Sequence, residues 1–151
     1  MALFLVQHGK SLAKDKDLEQ SLSEQGISDV NHIANNAKEH GISVSGIQHS
    51  GKKRAQQTAE ILAAALSPAN GVQKISGINP LDDVSAFAEK IKSTENLMLV
   101  GHLPFMAKLT SYLITGAIDK PVLKFQNAGI VCLDEDNGAW FIKWTLMPNI
   151  G

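Results

Sequence analysis

Two short runs, Leu3-Phe4-Leu5-Val6 and Leu97-Met98-Leu99-Val100, are apolar at every position, and each breaks at once into histidine beside glycine. A strand without polar alternation is buried on both faces, which is how parallel strands read when helices cover the sheet from both sides. The first run ends in Gln7-His8-Gly9 and the second in Gly101-His102-Leu103-Pro104. Glycine permits a sharp turn and close approach of the backbone to a ligand. Ligands of open α/β sheets bind just beyond the carboxyl ends of the strands. His8 therefore stands where chemistry is usually done, although one histidine after a strand is most often an ordinary loop residue. Its meaning rests on what the other strand ends carry.

Taken in order, residues 10–22 make a polar loop, and Ser23 then caps a helix with Glu24 in its first turn. Ile27, Val30, Ile33, Ala34 and Ala37 recur at helical spacing and predict its buried face. His40-Gly41 closes it, so His40 reads as a cap residue and His32 as part of the polar face. A second strand within residues 42–50 ends at Ile47-Gln48-His49-Ser50, and Gly51-Lys52-Lys53-Arg54 opens a helix with Ala55, Thr58, Ala59, Leu62 and Leu66 on one face. Residues 67–71 are a turn, 72–75 a short edge-like strand, and 79–83 the start of a third helix using Val84, Phe87, Ala88 and Ile91 for the core. A fourth helix follows Pro104, with Phe105, Met106, Leu109, Tyr112 and Leu113 on its buried side. From Pro121 onward three strands are expected with no helix between them, at 122–125, 129–133 and 140–146, the last two joined through Asp134-Glu135-Asp136-Asn137-Gly138. The pattern predicts an α/β three-layer sandwich: a mostly parallel central sheet, helices on both faces and one antiparallel edge, in a single domain spanning 1–151.

Composition narrows the function classes. A length of 151 residues with 44% hydrophobic and 19% charged residues suits one globular core. The formal net charge of −1 gives no global basic field for nucleic acid. The single cysteine, Cys132, lies among Ile130, Val131 and Leu133 and reads as strand filling compatible with a reducing compartment. The N-terminal apolar run lacks a basic region and a cleavage site, and the window 97–114 contains His102, Pro104 and Lys108. A cytoplasmic protein with no membrane partner is therefore expected.

Three strand ends now carry groups suited to one task. His8 follows the first strand, Arg54 lies in the first turn after the second, and His102 follows the other fully apolar strand. If these strands are parallel, all three groups project from one edge of the sheet. Two imidazoles and a guanidinium there can neutralise a dianion, helped by N–H groups at helix starts. No carboxylate–histidine cluster suggests a metal, and no cofactor is expected.

These residues resemble the motifs of the histidine phosphatase superfamily. Gln7-His8-Gly9 is similar to its Arg-His-Gly, residues 50–58 (Ser-Gly-Lys-Lys-Arg-Ala-Gln-Gln-Thr) to its Ser-Pro-x-x-Arg-Ala-x-Gln-Thr, and Gly101-His102 to its later Gly-His. The length, Leu22-Ser23-Glu24-Gln25-Gly26, the Gly-His-Leu-Pro run and the tail through Trp144 look most like its compact SixA-type phosphohistidine phosphatases. The resemblance implies a phosphoglycerate mutase-like fold and a phosphohistidine intermediate. His8 would be the nucleophile, held in one tautomer by a contact to a glycine carbonyl, with Gly9 the candidate. Arg54 and His102 would stabilise the phosphoryl oxygens. Gln7, Gly9, Lys10, Ser50 and Asn127 complete the expected phosphate site, with Asn127-Ala128-Gly129 offering backbone N–H.

The departures are also informative. Gln7 supplies neutral donors where the family has arginine, and Lys10, Lys52 or Lys53 are the cations that can restore the charge. Gly51 replaces the family's proline. Larger members bring a carboxylic acid from a segment after the second helix to protonate an alkoxide, yet residues 67–81 contain no carboxylate. Asp82 and Asp83 open the next helix and read first as caps. Imidazole, with a pKa near 6.5, leaves more readily than an alcohol. A phosphohistidine in a partner protein is thus the expected substrate, with a small phosphate ester as the alternative and a non-catalytic phosphate-binding module as the rival from another class. The lack of a long insertion also predicts an open, shallow pocket that can admit a protein side chain.

Overall fold

A computed structural model describes residues 1–150. Six strands form one sheet in the order β3-β2-β4-β1-β5-β6. They are β1 (Leu3–Gln7), β2 (Gly46–His49), β3 (Val72–Lys74), β4 (Leu97–Gly101), β5 (Ile130–Asp136) and β6 (Ala139–Leu146), interleaved with α1 (Glu24–Glu39), α2 (Lys53–Leu66), α3 (Val84–Ala88) and α4 (Phe105–Thr115). β1, β4, β2 and β3 run parallel, β5 lies antiparallel on β1, and β6 is antiparallel to β5.

The unbroken apolar runs sit in the middle of this sheet because both of their faces are covered. Phe4 and Val6 of β1 and Met98 and Val100 of β4 pack with Val30, Ile33 and Ala34 of α1 and Ala55, Ala59 and Leu62 of α2. Leu3, Leu5 and Leu99 point the other way, onto Val84 of α3 and Phe105, Met106 and Leu109 of α4. The two-residue period of a strand thus feeds two cores from one run. Each buried side chain of this size contributes roughly 1.5–3 kcal/mol. No described helix is long and apolar enough to cross a membrane.

Local signals account for most element ends. Ser23 caps α1 by accepting the Gly26 N–H, and His40 terminates it. Asn137 and Gly138, at φ 52° and 82°, form the two-residue turn between β5 and β6, the geometry that suits a twisted hairpin.

The structure corrects several expectations. Residues 122–125 form no strand; Phe125 is buried and Leu123 packs against the α4-side core, so their apolar character serves packing without a ladder. Ile27 is 40% exposed, because the buried stripe of α1 runs Gly26, Val30, Ile33, Ala34 and Ala37. The stripe begins on a glycine since the Lys10 backbone occupies that place: a Cβ on Gly26 would stand 2.0 Å from the Lys10 carbonyl oxygen. α3 is only five residues long, so Ile91 reaches the core from beyond its end. Pro104 directly precedes the first residue of α4.

Candidate active site

Pairing of β1 with β4 and of β4 with β2, all parallel, brings the three expected strand ends to one edge of the sheet. His8 and His102 follow adjacent strands, and their rings lie 5.0 Å apart between centroids at 54°. Arg54 sits in the first turn of α2, close enough that its charge depresses the pKa of both histidines. Among the described residues the only ion pair joins Lys53 to Glu19, so the partly buried Arg54 guanidinium has no carboxylate partner. An unpaired, half-desolvated cation of this kind is matched to an anionic ligand.

The backbone around His8 is fixed from three sides. Its N–H donates to the Gly101 carbonyl (3.0 Å), the Asn127 side-chain amide donates to the His8 carbonyl (3.0 Å), and the Ala128 N–H donates to the Gln7 carbonyl (2.9 Å). The His8 ring is fixed by its own neighbour. A carbonyl can only accept, so the 2.7 Å contact to the Gly9 oxygen places the proton on Nδ1 and leaves Nε2 with a free lone pair. Burial is the main cause of a lowered His8 pKa; the Gly9 bond opposes it and Arg54 adds to it. The ring is therefore neutral at neutral pH, as a nucleophile must be.

His102 is 2% exposed and its pKa is pushed down to about 3, first by burial and then by His8 in its protonated form and by the charges of Arg54 and Lys52. Its Nε2 lies 2.6 Å from Ser50 Oγ. The Ser50 oxygen also accepts, at 3.4 Å, from the Lys52 N–H, and its hydroxyl proton is free to be donated to His102 Nε2. In that arrangement His102 Nδ1 carries the ring proton. That atom is buried without a hydrogen-bond partner, a donor facing no protein acceptor. The other buried, unpartnered side-chain atom among the described residues is Oε1 of Gln7. Of these two atoms the His102 Nδ1–H is a donor that suits an anion, whereas the Gln7 oxygen only accepts and does not.

The remaining expected residues divide sharply. Lys52 alone of the three lysines acts electrostatically on His102, whereas Lys53 is paired with Glu19 at 3.1 Å. Lys10 has an exposed side chain, and its carbonyl accepts the N–H of Ser23. Ser50 binds His102, and Asn127 holds the His8 backbone. The expected offer of N–H groups from 128 and 129 is not available: Ala128 donates to Gln7 and Gly129 to Gln126. Asp82 accepts the Asn79 N–H, and Asp83 caps α3 while holding Ser85, which lowers its pKa. Both are turn and cap groups. Gly51, at φ +93°, adopts a conformation that proline cannot, so the loss of the family proline matches a differently shaped turn. Sequence reasoning foresaw none of the long-range contacts made by Ser50, Asn127 and Thr58. Thr58, fully buried, accepts the Gly9 N–H (3.0 Å) and donates to the Arg54 carbonyl (2.8 Å). Its place in the motif was visible, but its partner 49 residues away was not.

Beside Arg54 an open groove of about 640 Å³ runs between the 14–20 loop and α2, edged by Lys14, Leu18, Lys52, Lys53, Gln56 and Glu60. No group of three or more His, Cys, Asp or Glu side chains comes together among the described residues.

Comparison with known proteins bears on the fold and the family. The structure superposes on the protein histidine phosphatase SixA complexed with tungstate with a TM-score of 0.82, 23% identity and coverage of 98% of this chain and 97% of the other. For the putative phosphohistidine phosphatase SixA from Agrobacterium tumefaciens the values are 0.78, 22%, 98% and 98%. These likenesses establish a shared fold. An uncharacterised protein of Picosynechococcus sp. is 31% identical over 144 residues, 88% of this chain and 84% of that one. Residues 3–79, which contain His8, Arg54 and Thr58, match the model of the histidine phosphatase superfamily (branch 1), and the chain belongs to that family.

Proposed function

We propose that this protein is a phosphohydrolase of the compact SixA type that removes phosphate from phosphohistidine in a partner protein through a phosphohistidine on His8. The observation that carries the reading is the pairing of a neutral His8, its Nε2 lone pair free, with a cation that no carboxylate neutralises. In the first step Nε2 of His8 attacks phosphorus and the P–N bond of the substrate breaks. The leaving imidazole departs neutral, taking its proton from solvent or already protonated. Arg54 and the Nδ1–H of His102 hold the equatorial oxygens, whose charge they stabilise as the bonds exchange. Water then attacks the phosphoryl group on His8, releases phosphate and restores the neutral ring.

The lack of a poised acid supports the choice of leaving group. Asp82 and Asp83 are occupied in a turn and a cap, and the lowered pKa of Asp83 makes it a poor proton donor. Imidazole, with its pKa near 6.5, needs less help than an alkoxide. The open groove beside Arg54 offers room for the segment of a partner protein that flanks the phosphorylated residue.

One observation favours a second reading. Gln7 is neutral where the family has arginine, and a site that keeps Arg54 but lacks this second cation suits a module that binds phosphate or phosphohistidine without turning it over. Phosphate release from a phosphohistidine peptide, a phosphoserine peptide and a sugar phosphate separates the readings. The hydrolase reading requires release from the phosphohistidine peptide well above the other two, and its loss in His8→Ala. Equal or reversed rates remove the substrate assignment. Release from none, with phosphate still bound, establishes the binding module.

A further inference from the structure

We infer that Thr58 is a positioning residue: its hydroxyl ties the loop that orients His8 to the helix that carries Arg54, so nucleophile and cation are held as one unit. This rests on the roles proposed above for His8 and Arg54, although the geometry stands by itself.

The Thr58 hydroxyl has no freedom in how it is used. The Arg54 carbonyl, one helical turn earlier, can only accept, and at 2.8 Å it takes the hydroxyl proton. The Gly9 N–H can only donate, and at 3.0 Å it takes a lone pair of the same oxygen. The side chain is fully buried, so water cannot replace either bond. Of the hydrogen bonds on residues 7–9, those of Gln7 and His8 lead to Gly101, Asn127 and Ala128. The bond from Gly9 is the one that leads to α2. Gly9 is also the residue whose carbonyl receives the Nδ1 proton of His8. Fixing the Gly9 backbone therefore fixes which ring nitrogen is free.

The residue before Thr58 makes the same kind of contact. The Gln57 side-chain oxygen accepts the Leu22 N–H at 2.7 Å. Consecutive α2 residues thus fasten both ends of the 9–22 loop, one turn after Arg54. This gives the Gln-Thr end of the motif a physical purpose: without it, the loop could shift against Arg54 while both stayed folded.

The test uses the full chain with 15N-labelled histidine, the His8 signals being assigned with His8→Ala. Thr58→Val keeps the shape and removes both hydrogen bonds; Thr58→Ser keeps the hydroxyl. The inference predicts that Thr58→Val lowers kcat for a phosphohistidine peptide about ten- to a hundredfold with little change in KM. It also predicts that the valine variant shows His8 with its proton shared between the two nitrogens, while the native protein and Thr58→Ser show Nδ1–H alone. An unchanged His8 tautomer and kcat in Thr58→Val would overturn it. If the valine variant does not fold, Thr58→Ser decides: retention of rate and tautomer supports the hydroxyl's role, and loss of either shows that packing of the methyl is what matters. If the native protein releases no phosphate, the reaction fails while the His8 spectrum still decides the role of Thr58.

Discussion

Substitution Ser50→Ala removes one oxygen from a buried pair, and its consequences follow from the geometry. Ser50 and His102 are 7% and 2% exposed, and their contact is 2.6 Å. In the variant, Nε2 of His102 joins Nδ1 as a buried atom without a partner. Leaving such a group unsatisfied costs about 1–3 kcal/mol, which at this chain length lowers the melting temperature by roughly 3–10 °C. Catalysis should suffer separately. With the Ser50 proton gone, nothing in the protein keeps the His102 proton on Nδ1, and in part of the population a lone pair faces the phosphoryl oxygen. Complete removal of one such donor costs about 10²–10³ in rate. Because the phosphoryl oxygen itself draws the proton back to Nδ1, the drop in kcat should fall nearer ten- to a hundredfold (~1.4–2.7 kcal/mol). Thermal melts and steady-state phosphate release on the same preparation measure both effects. A variant that melts within about 1 °C of the native protein would refute the buried pair. One that loses stability but keeps kcat within about twofold would refute the tautomer argument.

Gln7→Arg should raise kcat about ten- to a hundredfold, since a charged hydrogen bond contributes roughly 1.5–3 kcal/mol; unchanged kcat with tighter phosphate binding would show that the native deficiency lies elsewhere. Gly26→Ala should destabilise the fold by about 1–3 kcal/mol in urea melts, because its methyl has no room beside the Lys10 carbonyl. The folded pKa of His102, about 3, lies below its unfolded value of 6.5, so between these the unfolded chain binds more protons. Its contribution to stability is complete above pH 6.5 and declines as pH falls toward 3, and denaturant midpoints of native protein and His102→Asn across that window should converge at the acid end. A native profile that is flat there would contradict the burial of a neutral ring.

How much of this could be read from the sequence depended on the range of the interaction. The apolar runs at 3–6 and 97–100 announced the central strands, and their abrupt ends located His8 and His102, because burial on two faces leaves an unmistakable pattern. Arg54 followed from its place just after the second strand. The segment 122–125 carries the same apolar signal without forming a strand: apolar residues report burial, and burial does not require a ladder partner. Helical period alone places Ile27 in the core, because it does not show which stripe the rest of the chain covers. The contacts of Ser50 with His102, Asn127 with His8 and Thr58 with Gly9 join residues 52, 119 and 49 positions apart. No local preference encodes such pairs; they exist only once the strands are in order.

The central claim is that His8 carries the phosphoryl group during turnover. Rapid acid-free quenching of the native protein with a 32P-phosphohistidine peptide, followed by mapping of the labelled segment, tests it directly. The account predicts acid-labile label on His8 that appears and decays within turnover and is absent from His8→Ala. Phosphate release without label on His8, or label on another residue, would contradict it.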